Sequence, residues 1–211
     1  SLLSKMPGDY WKKFAGVRAF LGYMMAHPGK KLNFMGTEFG QFIEWNYKQE
    51  LDWLLLDYPV HQMLQQYVKT LNHLYRTTPA LYEVDDSWEG FKWLVLDDNV
   101  QNTIAFARYD EHGTPLVALI NFSAATRSSY RFGVPIEGTY RELLNSDSSA
   151  FGGSGVCNEQ PIASESIPMH GFLQSIELCV PPLAAVYLQC EPAKPAVRPK
   201  LLRTAKKAVK K

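Results

Sequence analysis

The stretch TIAFARYDEHGTPLVALINFS, Thr103–Ser123, decides the fold of this chain. Two apolar runs of period two, TIAFARYD and PLVALINFS, flank the polar turn DEHGTP. Short runs rich in β-branched and aromatic residues, closed off by Gly, Pro and Asp, read as strands. The pattern continues on both sides. FKWLVLDD precedes it; SYRFGV, TYRELLNS, FLQSIELCV and AAVYLQC follow, the last two joined through PPL. Regular short strands with polar turns over about 100 residues predict an antiparallel β-sandwich. Between them, NSDSSAFGGSG, Asn145–Gly155, has the composition of a flexible loop.

Upstream of Trp88 the period is helical. Asp9 suits an N-cap, and Tyr10, Phe14, Val17, Leu21 and Met24 then recur at steps of three and four, one buried stripe of an amphipathic helix. HPG, His27–Gly29, ends it, since proline cannot continue a helix. KLNFMG, Lys31–Gly36, predicts a short strand covered on both faces, because its apolar residues are nearly continuous. A loop-rich stretch runs from Thr37 to Pro59. A second helix begins near Val60, with Leu64, Val68, Leu71 and Tyr75 inward, and TTP, Thr77–Pro79, stops it. Helix, buried strand and helix are the repeat of an α/β barrel, but one such unit cannot close a barrel of eight. The expected fold class is therefore α/β plus all-β. Residues 1–82 read as an incomplete barrel piece, 83–190 as a sandwich and 191–211 as a basic disordered tail.

The composition limits what the chain can do. At 46% hydrophobic and 13% aromatic, its 211 residues can bury a core. No apolar run approaches the ~20 residues that span a bilayer, so no membrane partner is expected. The net charge of +1 hides an asymmetry. Eight Lys/Arg and one acid fall from Glu191 onward, leaving 14 basic and 20 acidic residues before it. An acidic body argues against nucleic acid as a partner and leaves a neutral one, such as a sugar, open. Cys157, Cys179 and Cys190 lack metal-ligand spacing. With no secretion signal they fit idle thiols in a reducing cytoplasm. The chain starts at Ser1, not Met, and its N-terminus reads as a cut.

The candidate chemistry lies in NFMGTEFGQFIEWN, Asn33–Asn46. A strand ending at Gly36 places Glu38 at the C-terminal mouth of a parallel barrel, where barrel enzymes keep their sites. Gly36 and Gly40 allow sharp turns. Gln41, Glu44 and Asn46 can exchange hydrogen bonds with hydroxyls, and the Trp45 indole offers a flat face to a pyranose ring. No glycine-rich phosphate cradle accompanies them. Each also has a plain structural reading: Glu38 as a cap or arginine partner, Trp45 as a loop core residue. Trp53, in the apolar LDWLLL, reads as structural, and His27 and His61 as caps at helix ends. Glycoside chemistry generally needs two carboxylates about 5–5.5 Å apart for retention. Glu38 and Glu44 share one loop, whereas barrel carboxylates come from different strand ends. The residues alone thus give a sugar-binding edge with no assigned catalytic residue.

KMPGDYWKKFAGVRAFLGYMMAHPGKKLNFMGTEFGQFIEWN, Lys5–Asn46, resembles the bacterial 1,4-α-glucan (glycogen) branching enzymes of the α-amylase superfamily. The resemblance continues through LDWLLLDYPVHQMLQQYVKTLNHLYRTTPALYE, FKWLVLDD, NFS, YRFGVP, YRELLNSD, GG and VPPLAAVYL, nearly everything up to Cys190. It implies that residues 1–82 end a (β/α)8 barrel with Lys31–Gly36 as its eighth strand, followed by an all-β C-terminal domain. The implied reaction moves an α-1,4-glucan segment to a 6-hydroxyl, making an α-1,6 branch with retention. It needs an Asp nucleophile and a Glu acid/base, and no metal or organic cofactor. Those carboxylates and a third Asp belong to positions upstream of this chain, so the implied partners are an α-glucan and the missing N-terminal part of the same enzyme. Glu38, Gln41, Glu44, Trp45 and Asn46 match the family motif as substrate-side residues. Two further readings stand beside this one. The sandwich could bind glucan at surface aromatics, marked by exposure of Trp88, Trp93 or Tyr109. It could instead be a purely structural cover, with those aromatics buried.

Overall fold

The computed structural model describes residues 1–193; most of the basic tail expected at 191–211 lies outside them. A single turn, α1 (Leu2–Lys5), leads into α2 (Tyr10–Ala26), which Asp9 caps by accepting from the Lys12 amide at 2.9 Å. The helix stops before His27-Pro28. Helix α3 (Pro59–Thr77) opens with proline at its first position, where no amide is needed, and ends before Pro79. The strands follow: β1 (Phe91–Asp98), β2 (Thr103–Tyr109), β3 (Pro115–Asn121), β4 (Arg127–Val134), β5 (Gly138–Asn145), β6 (Ile162–Ala163), β7 (Gln174–Val180) and β8 (Ala184–Pro192). Apart from the two-residue β6, all correspond to runs read from the sequence.

Six strands form one antiparallel sheet in the order β1-β2-β3-β8-β5-β6, and β4 pairs with β7 in a second layer. The central strand β3 is buried along its whole length because its two faces meet different partners. Val117 and Leu119 join Phe132, Ile176 and Val180 of the β4–β7 layer. Leu116, Ala118 and Ile120 join the helices, in a cluster that runs from Leu3 on α1 to Tyr187 on β8. Helices and sheet thus share one core.

The single stripe expected on α2 is too narrow. Of the expected stripe, Phe14, Val17 and Leu21 are buried, while Tyr10 is exposed and Met24 half-buried; Ala15, Arg18, Ala19, Gly22 and Met25 are buried as well, because α2 lies between α3 and β8. At Gly22 the backbone approaches the sheet so closely that a Cβ would sit 2.5 Å from the Ala185 methyl. The Tyr187 hydroxyl donates to the Gly22 carbonyl at 2.5 Å, and the Tyr67 hydroxyl to that of Arg18 at 3.0 Å.

Two expectations are corrected. Lys31–Gly36 is not a strand, and no (β/α)8 barrel forms among the described residues. Leu32, Phe34 and Met35 are exposed instead of covered on both faces. A parallel strand needs neighbours for its amides and carbonyls, and none runs beside this segment. The Gly/Ser-rich segment after β5 is also not a loose loop. Asp147, buried, accepts from Ser154 N at 2.9 Å, Ser154 Oγ at 2.6 Å and Val156 N at 3.2 Å, while Arg18 donates to the Ser146 carbonyl at 2.8 Å. Small polar residues here serve a tight, satisfied turn.

Candidate functional site

The expected site residues lie on the connection between α2 and α3. Gly36 and Gly40 both adopt left-handed conformations, φ +83° and +74°, bracketing a 3-10 turn over Thr37–Phe39. Glycine meets that requirement without steric cost. Phe39 is the anchor of the turn: fully buried, it packs on the Trp53 ring at 5.4 Å. Its backbone carbonyl meets His61 Nδ1 of α3 at 2.7 Å. Trp53 therefore supports the loop, as its apolar context suggested.

Glu38 points the other way. It is partly exposed and lines a cleft of about 690 Å³ with Asn33, Met35, Lys69, His73 and Arg76. The last three sit one turn apart along α3. Sequence reasoning missed them, although their spacing of four and three on the polar side of an amphipathic helix places them on one face.

The other four candidates separate by role. Gln41 is 4% exposed; its Oε1 accepts from the Asp52 amide at 3.0 Å and its Nε2 donates to the Ile43 carbonyl at 3.3 Å. Both ends of its amide thus brace the following loop. Glu44 accepts from the Ser1 amino group at 2.5 Å and lies 3.6 Å from Lys5 Nζ. The hydrogen bond and charge of that amino group hold its carboxyl below the usual range. Trp45 is 43% exposed, edge-on to Phe34 with centroids 5.4 Å apart. Asn46 is exposed, its Oδ1 accepting from the Lys48 amide at 3.0 Å. Phe34, Phe42, Trp45 and Tyr47 are all exposed on this connection. Large apolar side chains gathered on one exposed connection are a usual mark of a ligand or partner surface.

The aromatics of the sheet domain also divide. Trp88 is 87% exposed at the edge of a second cleft, about 320 Å³, which His27, Asp85, Asp86, Phe91 and Trp93 line. Trp93 and Tyr109 are half-buried, and burial raises the Tyr109 hydroxyl to about 12. His27 packs against Tyr23, Phe91 and Phe106, a core contact at a helix end. Among the described residues no three His, Cys, Asp or Glu side chains converge to hold a metal, and no helix is long and apolar enough to cross a membrane. Cys157 is exposed, Cys179 half-buried and Cys190 buried.

Known proteins resemble this chain over most of its length. Residues 93–191 match the family model of the alpha amylase C-terminal all-beta domain. The chain is 49% identical over 191 residues to the 1,4-alpha-glucan branching enzyme GlgB of Pseudomonas fluorescens (strain Pf0-1), and 51% identical over 190 residues to that of Halothermothrix orenii. Each match covers 90% of this chain but only 26% and 30% of the relative, so the chain spans between a quarter and a third of those enzymes. Among solved structures, Ttha1563 from Thermus thermophilus superposes with a TM-score of 0.57 at 21% identity, over 90% of this chain and 33% of that one. The catalytic module of the pneumococcal glycogen-degrading virulence factor SpuA gives 0.55 at 14%, over 86% and 32%. At those identities the structures establish the fold alone. Residues 93–191 thus carry the alpha amylase C-terminal all-beta domain, and nine-tenths of the chain is similar to one part of the 1,4-alpha-glucan branching enzymes GlgB.

Proposed function

We propose that this chain is a piece of a glycogen branching enzyme, a transferase that moves α-1,4-glucan segments to 6-hydroxyls in glycogen synthesis in the cytoplasm. The observation that carries the reading is the near-50% identity across both the candidate loop and the all-β domain. On this reading residues 1–82 complete a (β/α)8 barrel contributed mainly by upstream sequence, and residues 83–190 are the all-β domain behind it. Glu38, Gln41, Glu44, Trp45 and Asn46 form the glucan-facing edge. Glu38, Trp45 and Asn46 reach solvent, and Gln41 braces the loop that carries them. The exposed apolar side chains beside that edge, such as Leu32 and Met35, meet the upstream barrel. A retaining transfer requires two carboxylates on opposite sides of the scissile bond; both come from upstream, so the chain by itself binds and shapes but does not transfer. No metal or organic cofactor is invoked.

The test compares the chain with a full-length version on amylose, following iodine absorbance and new reducing ends. The full-length protein should lower iodine absorbance without a matching rise in reducing ends, while the chain alone stays at the level of an inert protein. Turnover by the chain alone would return the chemistry to Glu38 and Glu44. Hydrolysis without branching by the full-length protein would assign the chain to another α-amylase-superfamily enzyme.

A further inference from the structure

One imidazole connects three elements at the candidate site. His61, in the first turn of α3, is 1% exposed. Its Nδ1 lies 2.7 Å from the Phe39 carbonyl oxygen. A carbonyl can only accept, so Nδ1 carries the proton. That leaves Nε2 as an acceptor for the Tyr10 hydroxyl of α2, 3.3 Å away. Phe14 and Phe42 stand edge-on to the ring, at 5.0 and 5.3 Å, and exclude water from it.

The turn that His61 holds is tied at its ends, where Thr37 Oγ1 donates to Phe34 O at 2.6 Å and Gln41 N to Gly36 O at 2.9 Å. At its middle the bonds are longer: Phe39 N donates to Gly36 O at 3.4 Å and Gly40 N to Thr37 O at 3.2 Å. Both flanking residues are left-handed glycines, which lack side chains to fix the backbone. The imidazole bond to the Phe39 carbonyl is shorter than those two middle bonds, buried, and anchored to a nineteen-residue helix. Phe39 follows Glu38 directly, and the carbonyl that His61 fixes lies in the Phe39–Gly40 peptide, one residue past the glutamate. With Phe39 also seated on Trp53, Glu38 is held toward its cleft.

We infer that His61 is a positioning residue for the glucan-facing loop, holding the Phe39 carbonyl so that Glu38 is presented to its cleft, with Tyr10 fixing which ring nitrogen donates. The kinetic part rests on the branching-enzyme reading; the clamp itself does not. Asparagine can place an N–H close to where Nδ1 sits, whereas leucine fills similar space without a donor. His61→Asn, His61→Leu and Tyr10→Phe therefore separate the hydrogen bond from packing.

In this chain, imidazole ¹⁵N spectra should show His61 protonated at Nδ1, and Tyr10→Phe should shift the Nε2 resonance. His61→Leu should change the emission of Trp53, and His61→Asn should leave it near that of the parent. In the full-length enzyme, His61→Leu should lower kcat/KM on amylose about tenfold or more, as small misplacements near a reacting substrate do, and His61→Asn should recover most of it. Protonation at Nε2, or unchanged Trp53 emission in a folded His61→Leu chain, would overturn the clamp. Equal losses in both variants that follow their melting temperatures would reduce His61 to packing. An inactive parent enzyme would defeat the branching-enzyme reading and leave the spectra to decide the clamp.

Discussion

Gly22→Ala should destabilise this protein, although the same change in most helices does the reverse. Replacing an interior helical glycine by alanine gains about 1 kcal/mol of helix propensity. Gly22, however, sits where α2 lies directly on β8. The new methyl carbon would lie 2.5 Å from the Ala185 Cβ and 2.7 Å from the Tyr67 hydroxyl. Carbon atoms rest near 3.5–4.0 Å apart, so about 1 Å of separation must be found. Lifting the helix opens the shared core, and moving Tyr67 weakens its bond to the Arg18 carbonyl. Overpacking costs about 1–3 kcal/mol and a disturbed buried hydrogen bond about 1 kcal/mol more. Together they exceed the propensity gain, leaving a net loss of about 1–3 kcal/mol, or a Tm lower by about 2–12 °C for a chain of this size. Scanning calorimetry on the purified chain measures it. Gly16→Ala is the control: its Cβ would meet the Met6 side chain, nearest at the sulfur, 3.1 Å away, and that flexible chain can move aside. Ala185→Gly in the Gly22→Ala background should restore part of the loss, because it removes the nearer obstacle. A Tm raised by Gly22→Ala, or no coupling with Ala185→Gly, would refute the seating of α2 on β8 described above.

Asp85→Ala should cost about 3 kcal/mol, at the lower end for a broken buried pair, in a urea titration. The Arg108 guanidinium is fully buried, 2.7 Å from Asp85, and keeps only the carbonyls of Ala26, Leu81 and Gly90 without it; an unchanged midpoint would show that these suffice. Burial lowers the Lys31 amino group to about 8, below its unfolded value, so its desolvation cost is fully present below pH 8 and is relieved as pH rises toward 10. Discounted for its partial exposure, that is about 1 kcal/mol of stability gained between pH 8 and 10, and it should vanish in Lys31→Met. In a full-length protein Trp45→Ala should lower kcat/KM about five- to a hundredfold, the loss of one ring-stacking face, with little change in Tm because on this reading the indole faces glucan and not packed protein. A large fall in Tm with normal transfer would make Trp45 scaffold.

The sequence by itself determined the parts whose signals are local. Period-two runs bounded by turn residues marked every strand except the short β6, since alternation reflects the pleat whatever lies above it. Asp9 and the prolines after each helix marked helix ends for reasons confined to a few residues, whereas Pro59, read as the end of the loop, is the first residue of α3. The motif around Glu38, Gln41, Glu44, Trp45 and Asn46 was equally legible, as a set of residue types. Only the tertiary structure decided what those residues face. KLNFMG has the composition of a buried strand, but strand formation depends on a neighbour's amides, and no strand lies alongside among the described residues. NSDSSAFGGSG has the composition of a mobile loop, yet one buried carboxylate, Asp147, gathers its amides into a fixed turn. The α2 stripe looked narrow because Gly22 and Ala19 carry no hydrophobic signal, although small residues are what permit close approach to a sheet. Gln41 as a brace and His61 as a clamp depend on partners eleven and twenty-two residues away. A hydrogen bond of that kind is set by where two elements come to lie, which no local pattern records.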